Sequence, residues 1–267
     1  MAVTHYENFP VASLLLPAQF RDPVALIYRF ARAADDFADE GSDAPEVRLA
    51  KLAGFQSYLV TIGLGIIPND PLFKDIARIV REHELPLQLF DNLLDAFSQD
   101  VVKSRYADFS EVLDYCRRSA NPVGRLLLHL FGSATAENLA ASDSICSALQ
   151  LVNFWQDVEL DYAKGRIYLP QDEMRRYGVT EQHIAEHRCD DGWRALIGFQ
   201  ISRARAMLEG GAPLGRALPG RIGLEIRATV QGGLRILEKL ERVEGDMFRH
   251  RPVLKWFDWP VVLARAL

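Results

Sequence analysis

A helical spacing of apolar residues is the feature that most constrains what this chain can fold into. Apolar side chains recur at three- and four-residue intervals along almost the whole length, and no run alternates apolar and polar residues as a half-buried strand would. The chain has 267 residues and an apolar fraction of 49%, which is enough for a sizeable core. The sequence therefore predicts an all-α protein, organised as a single domain over residues 1–267.

Proline, glycine and polar turn residues give the expected helix boundaries. Asp22-Pro23 predicts the start of the first helix, and Gly165 predicts the end of a long helix after Asp161. Residues 210–220, GGAPLGRALPG, are expected to form a loop. It is not a phosphate-binding loop, because it lacks the Gly-Lys-Ser/Thr ending. The predicted helices are 22–40, 45–63, 70–83, 86–101, 108–131, 136–163, 191–209, 219–245 and 255–266.

Composition excludes several classes of protein. A net charge of −5 does not give the basic surface of a nucleic-acid-binding protein. The longest apolar stretch, residues 59–67, is too short to cross a bilayer, and the first residues lack the features of a signal peptide. The three cysteines have neither disulfide-framework nor zinc-ligand spacing. These features predict a cytoplasmic protein without a nucleic-acid partner.

The first acidic stretch is ARAADDFADE, residues 31–40. At 100° per residue, an ordered stripe about 60° wide runs along this helix, opposite the large apolar side chains. The stripe consists of Tyr28, Arg32, Asp35 and Asp39, with Asp36 and Glu40 beside it. Carboxylates one turn apart repel each other, so either water at a solvated helix end or a divalent cation such as Mg²⁺ must compensate them.

A second acidic stretch, QLVNFWQDVELDYAKGRIYLP at 150–170, repeats this pattern. An arc of about 80° contains two amides and a second i,i+4 aspartate pair. These residues are Gln150, Asn153, Asp157 and Asp161, followed by Lys164, Arg166 and Tyr168. Two such pairs with basic neighbours predict a diphosphate held between metal ions on facing helices, since Mg²⁺ commonly binds one or two carboxylates plus phosphate oxygens. Chance duplication on solvated helices is the alternative.

The two acidic stretches resemble the aspartate-rich motifs of the squalene/phytoene synthase family. The likeness extends over most of the chain, through HYENF near the start, RYADFSEVLDYCRRSANPVG at 105–124 and ILEKLERVEGDMFRHR at 236–251. It implies the isoprenoid synthase fold, a single-domain helical bundle with a central cavity. It also implies that roughly two or three Mg²⁺ ions bind with the diphosphate. The implied metal ligands are Asp35, Asp36, Asp39, Asp157 and Asp161.

The same resemblance implies roles for the residues beside the aspartates. Diphosphate binding or cavity lining is implied for Tyr28, Arg32, Gln150, Asn153, Lys164, Arg166, Tyr168 and Arg251. Of these, Tyr28, Arg32, Asn153 and Tyr168 are the catalytic candidates, and Tyr28 or Asn153 could position a water. Aromatic rings can stabilise a passing carbocation, and the candidates are Phe9, Tyr28, Phe154, Trp155 and Tyr168.

Departures from the family pattern narrow the expected reaction. Gln156 replaces the arginine that usually precedes the first aspartate of the second motif, SANPVG replaces VAGTVG, and Gly233 replaces a tyrosine. The result resembles the bacterial branch that converts presqualene diphosphate to hydroxysqualene in hopanoid-type squalene biosynthesis. This would be a carbon–oxygen lyase reaction of ionisation, rearrangement and water capture. Head-to-head condensation of farnesyl or geranylgeranyl diphosphate to presqualene diphosphate, squalene or phytoene stays open.

The expected cofactors and partners follow from this resemblance. No dinucleotide-binding fingerprint is present, so NAD(P)H is not expected. The partner is a C30 prenyl diphosphate, and neighbouring pathway enzymes are further candidates. Because that substrate is apolar, transient contact with the inner membrane is expected, with VLKWFDWPVVLARAL at 253–267 as a candidate surface.

Other kinds of site fit less well. A di-iron bundle needs Glu-x-x-His pairs, and no histidine has glutamate three residues before it. His183, His187 and Cys189 could bind zinc, but their polar surroundings indicate a solvated surface helix. Calcium-loop spacing is missing. A non-catalytic helical scaffold on the same fold stays open, although the retention of both aspartate pairs favours an enzyme.

Overall fold

The computed structural model describes residues 16–41 and 43–267, so Phe9 and the HYENF motif lie outside the described residues. The all-α prediction is confirmed: the described residues contain no strand, and only one isolated bridge, between Arg105 and Ile167. The α-helices are α1 Ala18–Asp39, α2 Pro45–Gly63, α3 Pro71–His83, α4 Leu87–Val102, α5 Phe109–Ser119, α6 Asn121–Leu130, α7 Ala136–Gln156, α8 Val158–Ala163, α9 Gln171–Arg176, α10 Glu181–Ala185, α11 Asp191–Gly211, α12 Leu214–Ala217, α13 Gly220–Arg242 and α14 Trp259–Ala266.

Several predicted helix boundaries are wrong, including the start of the last helix, which is Trp259 rather than residue 255. Helix α1 begins at Ala18, so Pro23 lies inside it rather than at its start. The predicted helix 108–131 is divided at Ala120, because Pro122 has no backbone N–H to continue the hydrogen-bond ladder. The predicted helix 136–163 is interrupted at Asp157, whose φ of −110° and ψ of 15° are not helical.

Short helices were missed for a common reason. Helices α9, α10 and α12 have six, five and four residues, too few for an apolar period to be recognised. The predicted loop at 210–220 is partly wrong, since α11 continues to Gly211 and α12 lies within it. The end of the second stretch is confirmed: α8 ends at Ala163, and Gly165 follows with a φ of +80° that glycine adopts without strain.

The described chain divides into two compact units. The first comprises the residues up to Lys103 together with Arg117–Leu139, and the second comprises Ser104–Cys116 together with Ala140–Leu267. Phe30 of α1 lies in the core of the first unit, with ring centroids 5.9 Å from Phe73 and 5.1 Å from Phe90. In the second unit the largest fully buried side chains are Trp155 and Trp193. None of the described helices is long and apolar enough to cross a bilayer.

A buried carboxylate fixes the turn before α14. Asp258 is fully buried, and it accepts hydrogen bonds from Arg235 Nε at 2.9 Å, from the backbone N–H of Lys255 at 2.8 Å and from Lys239. Burial by itself would raise the pKa of Asp258, but the hydrogen bonds from Lys239, the Lys255 N–H and Arg235 outweigh it and lower the pKa to about 2. The turn is therefore attached to α13 by a buried ionic cluster.

We expect Asp258→Ala to lower the free energy of unfolding by about 3–5 kcal/mol at neutral pH, because it leaves two cations without their buried carboxylate. The lowered pKa means that this stabilisation is present above pH 3.8 and is lost as the pH falls toward about 2. Urea unfolding at several pH values would measure it. Asp191→Ala, at a fully exposed carboxylate, is the control and should change little. A difference between wild type and Asp258→Ala that is unchanged below about pH 3 would contradict the ionic explanation.

Candidate functional site

Helix α1 holds the first acidic stretch in a half-buried position. Phe30, Ala34 and Ala38 are buried in the first unit, and Asp35 and Asp39 lie at the positions immediately after two of them. The four predicted stripe residues, Tyr28, Arg32, Asp35 and Asp39, are all half-buried. The end of α1 is thus not fully solvated. Burial of the apolar side of the helix places the carboxylates beside it in a half-buried position.

Arg32 is shared among three carboxylates of this stretch. Its Nη1 donates to Asp35 Oδ2 at 3.1 Å, and its Nη2 donates to Glu40 Oε1 at 2.6 Å. Nη2 also lies 2.8 Å from Asp36 Oδ1, but without the alignment of a hydrogen bond, and this buried oxygen accepts none. One guanidinium therefore compensates three negative groups incompletely.

The crowding is strongest at Asp35. Its burial raises its pKa to about 7, and the neighbouring charges of Asp39, Asp100 and Asp36 add to that effect while Arg32 opposes it. Crowded carboxylates with an orphaned buried oxygen are a donor set that suits a hard divalent cation. Within the described residues, no three His, Cys, Asp or Glu side chains are already arranged as a metal site. Asp35, Asp36 and Asp39 thus fit Mg²⁺ by their chemistry.

Asp100 is a carboxylate of this site that sequence reasoning missed. It is buried on α4, and its charge contributes to the raised pKa of Asp35. A signal was available in the sequence. Asp100 occupies the same apolar stripe as Leu93, Ala96 and Phe97, all buried, and a carboxylate in such a stripe is rarely buried without a partner.

The second acidic stretch keeps its predicted spacing through an interruption of the helix. Asp157 lies between α7 and α8, yet its N–H donates to the Asn153 carbonyl at 2.9 Å, and its carbonyl accepts from Asp161 N–H at 2.8 Å. These i to i−4 bonds maintain the helical order of side chains across the break. Gln150, Asn153, Asp157 and Asp161 are all half-buried, beside the buried Leu151 and Phe154.

Arg251 binds the first aspartate of this stretch. Its Nε donates to Asp157 Oδ1 at 2.5 Å, and its Nη2 donates to Oδ2 at 3.1 Å, which is the two-point geometry of a strong arginine–carboxylate pair. The neighbouring Gln156 is 4% exposed, and its Nε2 donates to the Pro252 carbonyl at 2.7 Å. Gln156, the residue that departs from the family pattern, therefore fastens the segment that carries Arg251.

The loop with Lys164, Arg166 and Tyr168 is fixed from another part of the second unit. Arg105 donates to the Gly165 carbonyl at 2.6 Å and forms two hydrogen bonds, of 2.7 and 2.8 Å, with Glu181. The Ile167 N–H donates to the Ser104 carbonyl at 2.9 Å. Of the three loop residues, Lys164 is exposed, Arg166 is half-buried and Tyr168 is buried.

Tyr168 belongs to a cluster of aromatic rings. Its ring stacks on Phe154 with centroids 3.7 Å apart and planes 6° apart, and it lies 5.4 Å from Tyr106 and 5.6 Å from Tyr115. Tyr106 and Tyr115 were not among the predicted aromatics, because nothing in their spacing relates them to Tyr168. Trp155 is fully buried, and its indole N–H has no hydrogen-bond partner.

The interpretation of His183 as part of a solvated helix is wrong. His183 is buried, and its Nδ1 accepts from the Thr180 N–H at 3.1 Å while its Nε2 lies 3.1 Å from Asp190 Oδ2. It caps the start of α10. His187 instead stacks on Phe248, with centroids 5.0 Å apart, so the two histidines have different surroundings.

Gly233 has a packing reason to lack a side chain. A Cβ atom at this position of α13 would lie 2.8 Å from Leu149 Cδ2 and 3.0 Å from Leu208 Cδ1. The tyrosine usual in the family would have to displace α7 and α11 side chains. The packing of Leu149 and Leu208 in the core of the second unit thus favours glycine at position 233.

Comparison with known proteins assigns the chain to a family. Residues 2–258 match the family described as squalene/phytoene synthase. The chain is 33% identical over 237 residues to hydroxysqualene synthase from Rhodopseudomonas palustris, covering 88% of this chain and 80% of that protein. It is 28% identical over 276 residues to 15-cis-phytoene synthase from Synechococcus elongatus, covering 97% and 89%.

A solved structure agrees with this result. The squalene synthase HpnC from Alicyclobacillus acidocaldarius superposes with a TM-score of 0.83 at 34% identity, covering 90% of each chain. The fold is that of an isoprenoid synthase. This chain belongs to the squalene/phytoene synthase family and is an enzyme of that family.

We expect Asp35→Asn to raise the melting temperature in the absence of metal above about pH 7, since it removes a charge that the folded state accommodates poorly. The folded protein retains the Asp35 proton between pH 3.8 and about 7 whereas the unfolded chain loses it, so ionisation destabilises the fold across that range. The difference in melting temperature between Asp35→Asn and wild type should therefore decrease as the pH falls from about 7 to 3.8. Thermal unfolding in chelator at several pH values measures it, with the exposed Glu46→Gln as control. If Asp35→Asn were less stable than wild type at about pH 8, the claim that the Asp35 charge destabilises the folded state would be contradicted.

Proposed function

We propose that this enzyme converts presqualene diphosphate to hydroxysqualene and releases diphosphate, in a Mg²⁺-dependent reaction of squalene and hopanoid biosynthesis. The observation that carries the proposal is the crowding at Asp35, where burial and neighbouring carboxylates raise the pKa to about 7 and one arginine serves three acids. Such a group is suited to bind a cation. The 33% and 34% identity to relatives named hydroxysqualene synthase supports this reaction.

The five aspartates would hold the metal. These are Asp35, Asp36, Asp39, Asp157 and Asp161, all of them half-buried carboxylates. When bound, Mg²⁺ supplies positive charge to the diphosphate leaving group and lowers the cost of breaking its bond to carbon. We propose that both acidic stretches serve one reaction and belong to one catalytic domain.

The basic and amide side chains would bind the leaving group. Arg32, Lys164, Arg166 and Arg251 would stabilise the negative charge of the departing diphosphate, and Gln150 and Asn153 would donate hydrogen bonds to it. Arg251 has a special position, because it is paired with Asp157 in this structure. For Asp157 to hold a cation, Arg251 has to exchange its carboxylate partner for the diphosphate.

The reaction balances without a redox cofactor. The carbon–oxygen bond breaks with both electrons leaving on the diphosphate, the cyclopropylcarbinyl cation rearranges, and a water oxygen attacks the rearranged cation and loses a proton. The cation needs dry surroundings until that step, because early water capture gives other products. The stacked rings of Phe154 and Tyr168 could stabilise it by about 0.5–2 kcal/mol each. Tyr28 or Asn153 would position the attacking water. We propose that NAD(P)H is not used.

A condensing reaction is the second candidate. The 28% identity to 15-cis-phytoene synthase from Synechococcus elongatus favours it, as does the 34% identity to phytoene synthase from Mycobacterium tuberculosis. In that case two farnesyl or geranylgeranyl diphosphates would be joined head to head. Gln156 argues against this, since the arginine usual in condensing members is absent.

We place the enzyme in the cytoplasm, where it would take its apolar substrate from a membrane surface.

The choice between the two reactions can be tested directly. Purified protein with Mg²⁺ should turn over presqualene diphosphate and leave farnesyl diphosphate unchanged. In ¹⁸O-labelled water the product should be an alcohol that carries the label, measured by mass spectrometry, because its oxygen comes from solvent.

Other outcomes have distinct meanings. Turnover of farnesyl diphosphate without turnover of presqualene diphosphate would assign the condensing reaction. Turnover of neither substrate by folded protein, with Mg²⁺ present, would indicate a non-catalytic scaffold. An unlabelled product would exclude water capture.

Substitution of one aspartate in each stretch tests the metal assignment. Asp35→Asn and Asp157→Asn should each lower kcat/KM by about a hundredfold or more while the protein stays folded. If both stretches serve one reaction, the double variant should lose much less than the product of the single losses, since groups that act as a unit are not additive. Steady-state kinetics measures this.

A matched control lies on α8. Glu159 is a half-buried carboxylate outside the predicted stripe, with its Oε1 3.2 Å from His187 Nε2. Glu159→Gln should leave kcat/KM within a factor of about three, as expected for a group outside the reaction. Near-normal activity in Asp35→Asn or Asp157→Asn would refute the metal role of that aspartate.

A further inference from the structure

The turn before α14 and α14 itself expose a large apolar surface. Trp259 and Leu263 of α14 and Leu267, the residue directly after it, recur every four residues and so lie within about 80° of one side of the helix. Contiguous exposed apolar patches are rare on soluble proteins unless they contact something. The aromatic patch consists of Trp256, 83% exposed, Phe257, 50%, Trp259, 46%, Leu263, 43%, and Leu267, 90%.

The fold holds this patch outward. Asp258 lies between Phe257 and Trp259 and is buried in its cluster with Arg235 and Lys239. On α14 the buried Val262 and Ala266 pack against α13, which fixes the opposite side of the helix. With Asp258 held inward, the rings on either side of it stay about half exposed, Phe257 with its ring centroid 5.4 Å from Lys239 Nζ. The exposure is therefore a fixed property of the turn.

The exposed charged side chains within residues 249–267 are all cationic. From Arg249 to Leu267 the one carboxylate is Asp258, and it is buried. Arg249 and Arg265 pair with Asp246 and Glu238, but the arginine is the more exposed member of each pair. Lys255 is also exposed, directly before Trp256. The patch thus combines exposed indoles with exposed cations.

We propose that the aromatic patch docks on an anionic lipid surface. Tryptophan side chains favour the boundary between lipid headgroups and hydrocarbon, and exposed lysine and arginine are attracted to anionic lipids. Docking there would bring the enzyme to the membrane in which an apolar C30 substrate dissolves, a reason that rests on the proposed function. The surface itself does not depend on that reaction.

A second copy of the chain fits the patch less well. A symmetric dimer would bring the same surface of both copies together, and with it the exposed cations of both. Asp246 and Glu238 pair with two of these cations but are less exposed than the arginines, and the one carboxylate within residues 249–267, Asp258, is buried. Like charges in contact are unfavourable, whereas an anionic bilayer compensates them.

Tryptophan fluorescence gives a specific test. The chain has four tryptophans, and Trp155 and Trp193 are fully buried, so a change on adding vesicles reports Trp256 and Trp259. With vesicles containing about one third phosphatidylglycerol, the emission should shift to the blue, and the effect should weaken at high salt and with pure phosphatidylcholine. Co-sedimentation with the same vesicles should show at least tenfold weaker binding by the Trp256→Ala/Trp259→Ala variant.

The control is an exposed apolar residue elsewhere. Leu64 is 73% exposed in the first unit, and Asp70 places a negative charge six residues after it in the sequence. Because Leu64 is not part of the aromatic patch, the Leu64→Ser variant should bind vesicles like wild type. Circular dichroism and urea unfolding check that the double tryptophan variant is folded. Its turnover of detergent-solubilised presqualene diphosphate should be unchanged, whereas turnover of substrate presented in vesicles should fall.

The outcomes separate this inference from the proposed reaction. Vesicle binding by a wild-type protein that turns over no substrate would uphold the surface and overturn the proposed function. Equal vesicle binding by wild type and the double variant would overturn the surface. So would vesicle binding independent of phosphatidylglycerol and salt, or a concentration-dependent dimer that the double variant loses and that binds no vesicles.

Discussion

The first acidic stretch depends on the burial of one side of α1 in a phenylalanine core. Phe30 contacts Phe73 and Phe90, and that packing determines which side of the helix faces inward. The carboxylates between the buried positions are therefore held half-buried. Core packing therefore provides the free energy that holds like charges together. The ionised form of Asp35 is destabilised as a result, which is why its pKa is raised.

The second acidic stretch reaches charge balance differently. Arg251 compensates Asp157 through two hydrogen bonds, and Gln156 fastens the segment that carries it. In the first stretch three carboxylates share Arg32, whereas in the second Arg251 binds one carboxylate through two hydrogen bonds. In a diphosphate-processing enzyme both conditions favour binding of an anion together with cations.

Local spacing made much of this site predictable. The i,i+4 aspartates, the stripe through Arg32 and the end of α8 at Gly165 depend on residues within two turns of each other. The pair of Arg251 with Asp157 was not predictable, because it joins residues 94 positions apart. The interruption at Asp157 was also missed, since its i to i−4 hydrogen bonds preserve the spacing that a continuous helix has. Asp100 could have been found from its place in an apolar stripe.

The bond between Gln156 and the Pro252 carbonyl limits which side chains position 156 can accept. The Gln156 side chain is 4% exposed and donates to the Pro252 carbonyl, and the residue before Pro252 is Arg251, whose guanidinium pairs with Asp157. An arginine at position 156 would place a second guanidinium in a largely buried contact beside the segment that carries Arg251. A change of Gln156 to arginine is therefore expected to need a second change, such as a new carboxylate nearby, if the protein is to keep its stability.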